Sequence, residues 1–401
     1  MALRRRAGLV AALTLMLALV SCNGGEAPPG QEAAPLRLER SSFVAFDGWN
    51  EDDQSAALAA FRLSCKRIVR LPDDRPMGRT IGGTAADWKP ACKAAAGPAS
   101  DADARTFFER NFEAFAVRAG DDPIGLFTGY YEPELAAVLA PDERHSVPLR
   151  ARPDDLITAD LGQFRDAWKG ERIIGRVEDG RLVPYHERKV INAGALDGKA
   201  EALAWVADPV DAFFLEIQGS GRLSLPDGSK RRLGYEVANG HRFVAIGRVL
   251  LDEGALEKGK VSMQAIRAWL AANPARAQAV MERNPSYVFF AWRDKGDAKL
   301  GPIGAEGTQL SAGRSLAVDR KLLPFGAPLW LETDVPRAGS AGTQPFRRLM
   351  IAQDTGGAIT GPVRGDIFFG TGDQAGDVAG RMSAKGRYYV LLPKGIGAPG
   401  P

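Results

Sequence analysis

Two aspartates in the last quarter of the chain stand where a carboxyl group is hard to accommodate. Asp354 closes the apolar run "RRLMIAQ" and Asp366 opens "DIFFG" twelve positions later, with Gly356, Gly357, Gly361 and Pro362 breaking the chain between them. A carboxylate at the mouth of a buried strand must be hydrogen-bonded, paired with a cation, or kept neutral by a raised pKa. Asp366, flanked by Gly365 and by Ile367-Phe368-Phe369, has the apolar company that lifts a pKa, which is what a general acid requires. Asp354, and Asp319 in "RSLAVDRKLLPFGAPLW", can hydrogen-bond nearby backbone or tune such a site. Taken singly, each of them also reads as a turn-capping aspartate.

Other chemistries find less support. "MIAQDTGGA" carries the Asp-Thr-Gly of aspartic proteases, but a shared-proton dyad needs a second such triplet in the chain or in a symmetry mate. The chain has no second one and, at 401 residues, is a poor fit to the short homodimeric form. "GTGDQAG" lacks the G-x-G-x-x-G spacing of a phosphate-cradling loop, and no G-x-S-x-G elbow supports serine hydrolysis. His145, His186 and His241 are scattered without ligand spacing, so no metal and no other cofactor is expected. What remains is an acid working on an uncharged bond, as in glycosidic cleavage.

The elements that must position these groups begin after an export signal. "MALRRRAGLVAALTLMLALVSC" has a charged head, an apolar middle too short for a comfortable membrane span, and a small-residue exit. Leu19-Val20-Ser21-Cys22 resembles a bacterial lipobox, with Cys22 lipidated, and Asn23 after it fits sorting to the outer membrane. The signal carries three arginines and no acid, which leaves the remaining chain with 49 basic and 49 acidic residues. A neutral body without a polybasic arm argues against nucleic acid as a partner. In an exported chain Cys65 and Cys92 pair as a disulfide by default.

Residues 23–36, rich in Gly and Pro, read as a tether, and the last residues, "GIGAPGP", as a disordered tail. Two helical stretches follow the tether. One starts at Asn50 as a cap and places Leu58, Phe61 and Cys65 on one face; the other places Phe108, Phe112 and Phe115 together in a core. From Ile124, short runs between Gly, Pro and Asp, including "DAFFLEIQGSGRLSL", suggest a small antiparallel barrel. Helices return in "VSMQAIRAWLAANPARAQAVMERNP", and a second β region runs from "SYVFFAW" to "GRYYVLLPK". That order allows one barrel to be inserted in another domain.

Several motifs in a fixed order carry a family resemblance. "AVD" ending at Asp319, "QDTGG" with Asp354 and "GDIFFG" with Asp366 resemble the three-aspartate, or 3D, domain. "FTGYYEP", "DAFFLEIQGSGRL", "GYEVANGHRFVAIGRVL" and "MERNPSYVFF" resemble the membrane-bound lytic murein transglycosylase A family, over roughly residues 120 to 394. The resemblance implies a mainly β fold with helices, in which a discontinuous double-psi β-barrel (residues 37–127 plus 278–395) holds an inserted small β-barrel (128–277). Around these lie a signal peptide (1–21), the lipidated tether (22–36) and a tail (396–401). Peptidoglycan glycan strands are the implied partner, bound in a groove between the barrels. Asp366 is the implied catalytic acid, supported by Asp354 and Asp319. Tyr130, Tyr131 and the run Gln218, Gly219, Ser220 and Gly221 are the implied substrate contacts. The implied product is a 1,6-anhydromuramic end, made without water by a monomeric outer-membrane lipoprotein, with proteins of wall synthesis or remodelling as further partners. Glu216 departs from the family pattern. Alternation in "FLEIQ" puts it on the face of Gln218, so it is either a second carboxylate in the groove or a solvated one. A lysozyme-like hydrolase pairing Asp366 with Glu216 or Asp354, and a non-catalytic wall-binding protein, stay open as alternatives.

Overall fold

The computed structural model describes residues 34–97 and 100–396. The signal segment, Cys22, most of the tether and nearly all of the tail therefore lie outside the described residues. Six strands pair into a closed ring: Gly125–Glu132, Ser315–Val318, Pro328–Pro336, Thr343–Asp354, Arg364–Thr371 and Ser383–Pro393. Two of the pairings are parallel, Ser315–Val318 with Thr343–Asp354 and Gly125–Glu132 with Arg364–Thr371; the other four are antiparallel. The apolar run that ends at Asp354 is continuous because both of its faces are covered. Leu349, Met350, Ile351 and Ala352 are fully buried, and the next residue, Gln353, reaches the helix Gln54–Ile68 through Ala60 O and Ser64 Oγ.

The N-terminal helices form a collar against this barrel. Cys65 on the Gln54–Ile68 helix is bridged to Cys92 on Ala85–Ala94, as expected from the sequence. The helix cap is Asp53, whose carboxylate accepts from Ala56 N, not Asn50, which lies in the preceding turn. The second expected helix stops at Asn111. Phe112–Ala119 is a strand that pairs with Ser383–Pro393 on one side and with Leu36–Ser41 on the other. Phe112 and Phe115 are core residues as expected, but on a strand: the open edge of the barrel strand overrides local helix propensity. Leu36–Ser41 also begins inside the segment read as a tether.

Between the first and second ring strands lies the insert. Its four-stranded sheet (Val288–Trp292, Lys230–Ala238, Ser220–Ser224, Glu134–Ala136) and a two-stranded sheet (Val147–Arg150, Ala202–Val206) are joined at both ends by the bridges Val138↔Trp205 and Ala151↔Phe290. The result is a second, smaller ring. Gly125–Glu132 belongs to the first ring up to its last residue and Val288–Trp292 to the second. The chain therefore changes barrels at Pro133 and after Trp292, not at 127/128 and 277/278.

One stretch read as strand is helical. Pro209–Gln218 has Asp208 as its N-cap, Pro209 in its first turn and Gly219 at φ 76° as its C-terminal stop. These are the helix start and stop signals that the apolar run "FFLEI" obscured. Glu216 and Gln218 consequently do not share a strand face.

Candidate active site

The two aspartates meet across a single small residue. In the strand registers Ala317 is paired with Asp354 on one side and with Asp366 on the other, and Asp366 is paired in turn with Thr128. Asp354, Ala317, Asp366 and Thr128 thus form one row across four strands. At ordinary strand spacing the two aspartate backbones are about 10 Å apart.

Their surroundings differ. Asp354 accepts three hydrogen bonds: Tyr130 OH at 2.7 Å on Oδ2, and the amides of Ala305 at 2.8 Å and Thr355 at 2.9 Å on Oδ1. Asp366 accepts one among the described residues, from Thr128 Oγ1 at 2.7 Å on Oδ1. The same Thr128 oxygen accepts from Arg364 Nη2 at 2.9 Å, so its own proton is directed at Asp366. Burial pushes both carboxyls above the usual range. For Asp366 the Arg364 guanidinium and the Thr128 hydroxyl oppose the rise and the Asp354 charge adds to it. For Asp354 the Ala305 amide, the Tyr130 hydroxyl and the Thr355 amide all oppose it. Donors on both oxygens favour an ionised Asp354, while Asp366 keeps Oδ2 free to carry a proton. Tyr130 remains a phenol and a donor, since burial and the Asp354 charge hold its pKa well above normal.

Asp319 sits just past the end of Ser315–Val318. Its carboxylate accepts from the amides of Lys321 at 3.0 Å and Gly361 at 2.9 Å, pinning the loop that joins the Asp354 and Asp366 strands. Tyr131 is 7% exposed and packs on Ala375, Ala379 and Gly376, so its ring has no open face for a ligand. The Gln218–Gly221 run docks the insert on the first ring. Gln218 Oε1 accepts from Tyr131 N at 3.1 Å, Ser220 is buried, and a Cβ at Gly221 would lie 2.2 Å from Leu215 Cδ1. Glu216 is enclosed: Arg188 donates to both its oxygens, at 2.7 and 3.2 Å, and Val288 N donates at 3.1 Å. Burial raises its pKa and Arg188 opposes the rise. It lines a cavity of about 1100 Å³ within the insert, to which none of the three aspartates contributes. Among the described residues no cluster of His, Cys, Asp and Glu could hold a metal ion.

Three contributors were missed from sequence: Thr128, Arg364 and the fully buried Glu132, which is gripped by Arg222 (2.8 Å) and Arg232 (2.7 Å) of the insert and by Thr371 Oγ1 (2.8 Å). Alternation in "FTGYYEP" held the signal. It puts Thr128, Tyr130 and Glu132 on one strand face, where each holds a different charged partner.

A closed six-stranded ring with parallel pairings, a second ring inserted in it and two unequal carboxyls in one row define a double-psi β-barrel protein with a carboxyl site. Residues 126–291 match the MltA specific insert domain and residues 314–392 the 3D domain. The membrane-bound lytic murein transglycosylase A of Escherichia coli K12 is 34% identical over 291 residues, covering 70% of this chain and 71% of the relative. That of Vibrio cholerae is 31% identical over 293 residues, covering 72% and 71%. The chain belongs to the membrane-bound lytic murein transglycosylase A family. Among solved structures, a membrane-bound lytic murein transglycosylase from Agrobacterium tumefaciens superimposes with TM-score 0.79 at 36% identity, covering 89% of this chain and 98% of that one. The E. coli protein with bound chitohexaose gives 0.63 at 27% identity, covering 92% and 98%.

Proposed function

We propose that this protein cleaves the β-1,4 bond between N-acetylmuramic acid and N-acetylglucosamine in peptidoglycan, leaving 1,6-anhydromuramic ends. The family and the chitohexaose bound to its E. coli relative support a glycan strand as substrate. The observation that carries the mechanism is the unequal solvation of the two carboxyls: three donors on Asp354, one on Asp366. Asp366 gives its proton to the leaving oxygen. As a carboxylate it then takes the proton of the muramyl C6 hydroxyl while that oxygen closes on C1. The internal hydroxyl competes with water through its high effective molarity, so no second catalytic carboxylate is needed. Burial favours the protonated form of Asp366, and Asp354, whose three donors favour its charged form, adds negative charge that reinforces this and favours positive charge developing on the sugar ring. Asp319 keeps the intervening loop in place. Tyr130 and the backbone of the Gln218–Gly221 run flank the glycan. Lipidation of Cys22 would anchor the enzyme to the outer membrane, facing the wall.

A hydrolase using Glu216 loses its support, because that carboxylate is committed to Arg188 inside the insert. Mass spectrometry of digested sacculi is the test, with anhydro ends expected and reducing ends or intact strands contrary to the proposal. Asp366→Asn should keep the fold and the substrate affinity and lose ~10² to 10⁴ or more in rate, because the amide cannot donate the proton. Turnover near the wild-type rate would remove Asp366 from the role.

A further inference from the structure

A third buried carboxyl stands behind the site. Residues 303–309 form a tight turn between the bridge partners Ile303 and Gln309, and two successive amides of that turn hold the Asp354 strand. Ala305 N donates to Asp354 Oδ1, and Glu306 N donates to Gln353 O at 3.1 Å. The side chain of Glu306, 3% exposed, points back to the Gln54–Ile68 helix. Its Oε2 accepts from Ser64 Oγ at 2.6 Å and from Thr308 Oγ1 at 3.1 Å. Its Oε1 is buried without a hydrogen-bond partner, beside Gly326, Ile68 Cδ1 and Ser64 Cβ.

We infer that Glu306 is a positioning residue: its carboxyl must be uncharged for the 303–309 turn to keep the Ala305 amide on Asp354. The inference rests on the reading of Asp354 and Asp366 as the working pair. A neutral carboxyl fits a pocket with one apolar side, whereas a carboxylate would leave Oε1 charged and unsolvated. Burial pushes this group up to about 7, with Ser64, Arg67 and Thr308 opposing the rise. Arg67 is the charge on the helix whose field reaches it; the strand presents Gln353 and, across the turn, Asp354; the loop before Pro328 presents Gly326. No cation donates to Glu306 among the described residues, so ionisation is relieved by movement of the turn toward water. The adjacent Ala305 moves with it and Asp354 loses a donor. A positional device of this kind acts on kcat more than on KM.

The test uses the purified chain, compared with Glu306→Gln, which keeps the shape but does not titrate. Between pH 6 and 8 the protonated fraction of a group titrating near 7 falls about tenfold, and wild-type kcat on sacculi should fall by a similar factor. The Gln variant should lack this added fall and keep only the decline set by Asp366, with KM similar in both proteins. In alanine-labelled protein the Ala305 amide resonance should titrate near neutrality in the wild type and not in the variant. Overlapping kcat profiles, or an Ala305 resonance that titrates alike in both, would overturn the inference. If neither protein releases muropeptides at any pH, the proposed function fails, and the Ala305 titration still decides the role of Glu306.

Discussion

Replacing Thr128 by Val tests the chemistry at its most exposed joint. The substitution keeps the shape and removes one O–H donor, the 2.7 Å bond that is the only hydrogen bond to Asp366 among the described residues. It also takes from Arg364 Nη2 the hydroxyl acceptor it has among the described residues. A hydrogen bond to a charged group is worth roughly 1.5–3 kcal/mol. At 1.36 kcal/mol per unit, its loss should raise the Asp366 pKa by about one to two units above its already elevated value. The sign follows from the role. Asp366 must be protonated to start the reaction, so activity falls as pH rises through its pKa, and a higher pKa moves that alkaline limb to higher pH. The expectation is a limb displaced upward by one to two units, with a lower maximal rate because the carboxyl is no longer held in one rotamer. To keep the two limbs apart, the substitution is made in the Glu306→Gln background. Anhydromuropeptide release from sacculi, followed by chromatography from pH 4 to 9, gives the profile, and circular dichroism checks the fold. A limb that stays in place or moves to lower pH would refute the reasoning and release Asp366 from control by Thr128.

Two further outcomes concern the scaffold. Arg188→Met leaves the enclosed Glu216 carboxylate uncompensated and should lower stability by about 3–5 kcal/mol, with much of it regained when Glu216→Leu is added; an unchanged urea midpoint for the single variant would contradict the enclosed pair. Opening the Cys65–Cys92 bridge, which spans 27 positions, should lower stability by roughly 3.5 kcal/mol in the chain-entropy model, again read from denaturant midpoints; equal midpoints for bridged and reduced protein would mean the collar gains nothing from it.

Much of the ring was legible in the sequence because its strands are covered on both faces. "RRLMIAQ" and "DIFFG" read as strands and placed Asp354 and Asp366 at or near their ends, and the three-aspartate motif added Asp319. The cysteine pair was legible from export alone. The helix at Pro209–Gln218 was not, since a short run of buried apolar residues has no periodicity to separate helix from strand. Phe112–Ala119 was hidden for a different reason: its strand exists because a distant edge, Ser383–Pro393, accepts it. Tyr131 looked as suitable for a sugar as Tyr130, and only the neighbouring helix Asp373–Arg381 decides which of the two rings is covered. Glu306, in "PIGAEGTQL", reads as a solvated turn residue until the helix behind it is in place.

The clamp around Glu132 bears on how the insert can move. Arg222 and Arg232, which hold that carboxylate, also donate to the carbonyls of Ala298 and Leu300, on the segment by which the chain returns from the insert. Outgoing and returning connections are therefore tied in one knot, where an enzyme with closing jaws would have its hinge. Swinging the insert would unpair a fully buried charge, at a cost of about 3–5 kcal/mol. The insert is thus pinned to the first ring at this one buried cluster, and any relative movement of the two rings that opened the clamp would carry that cost.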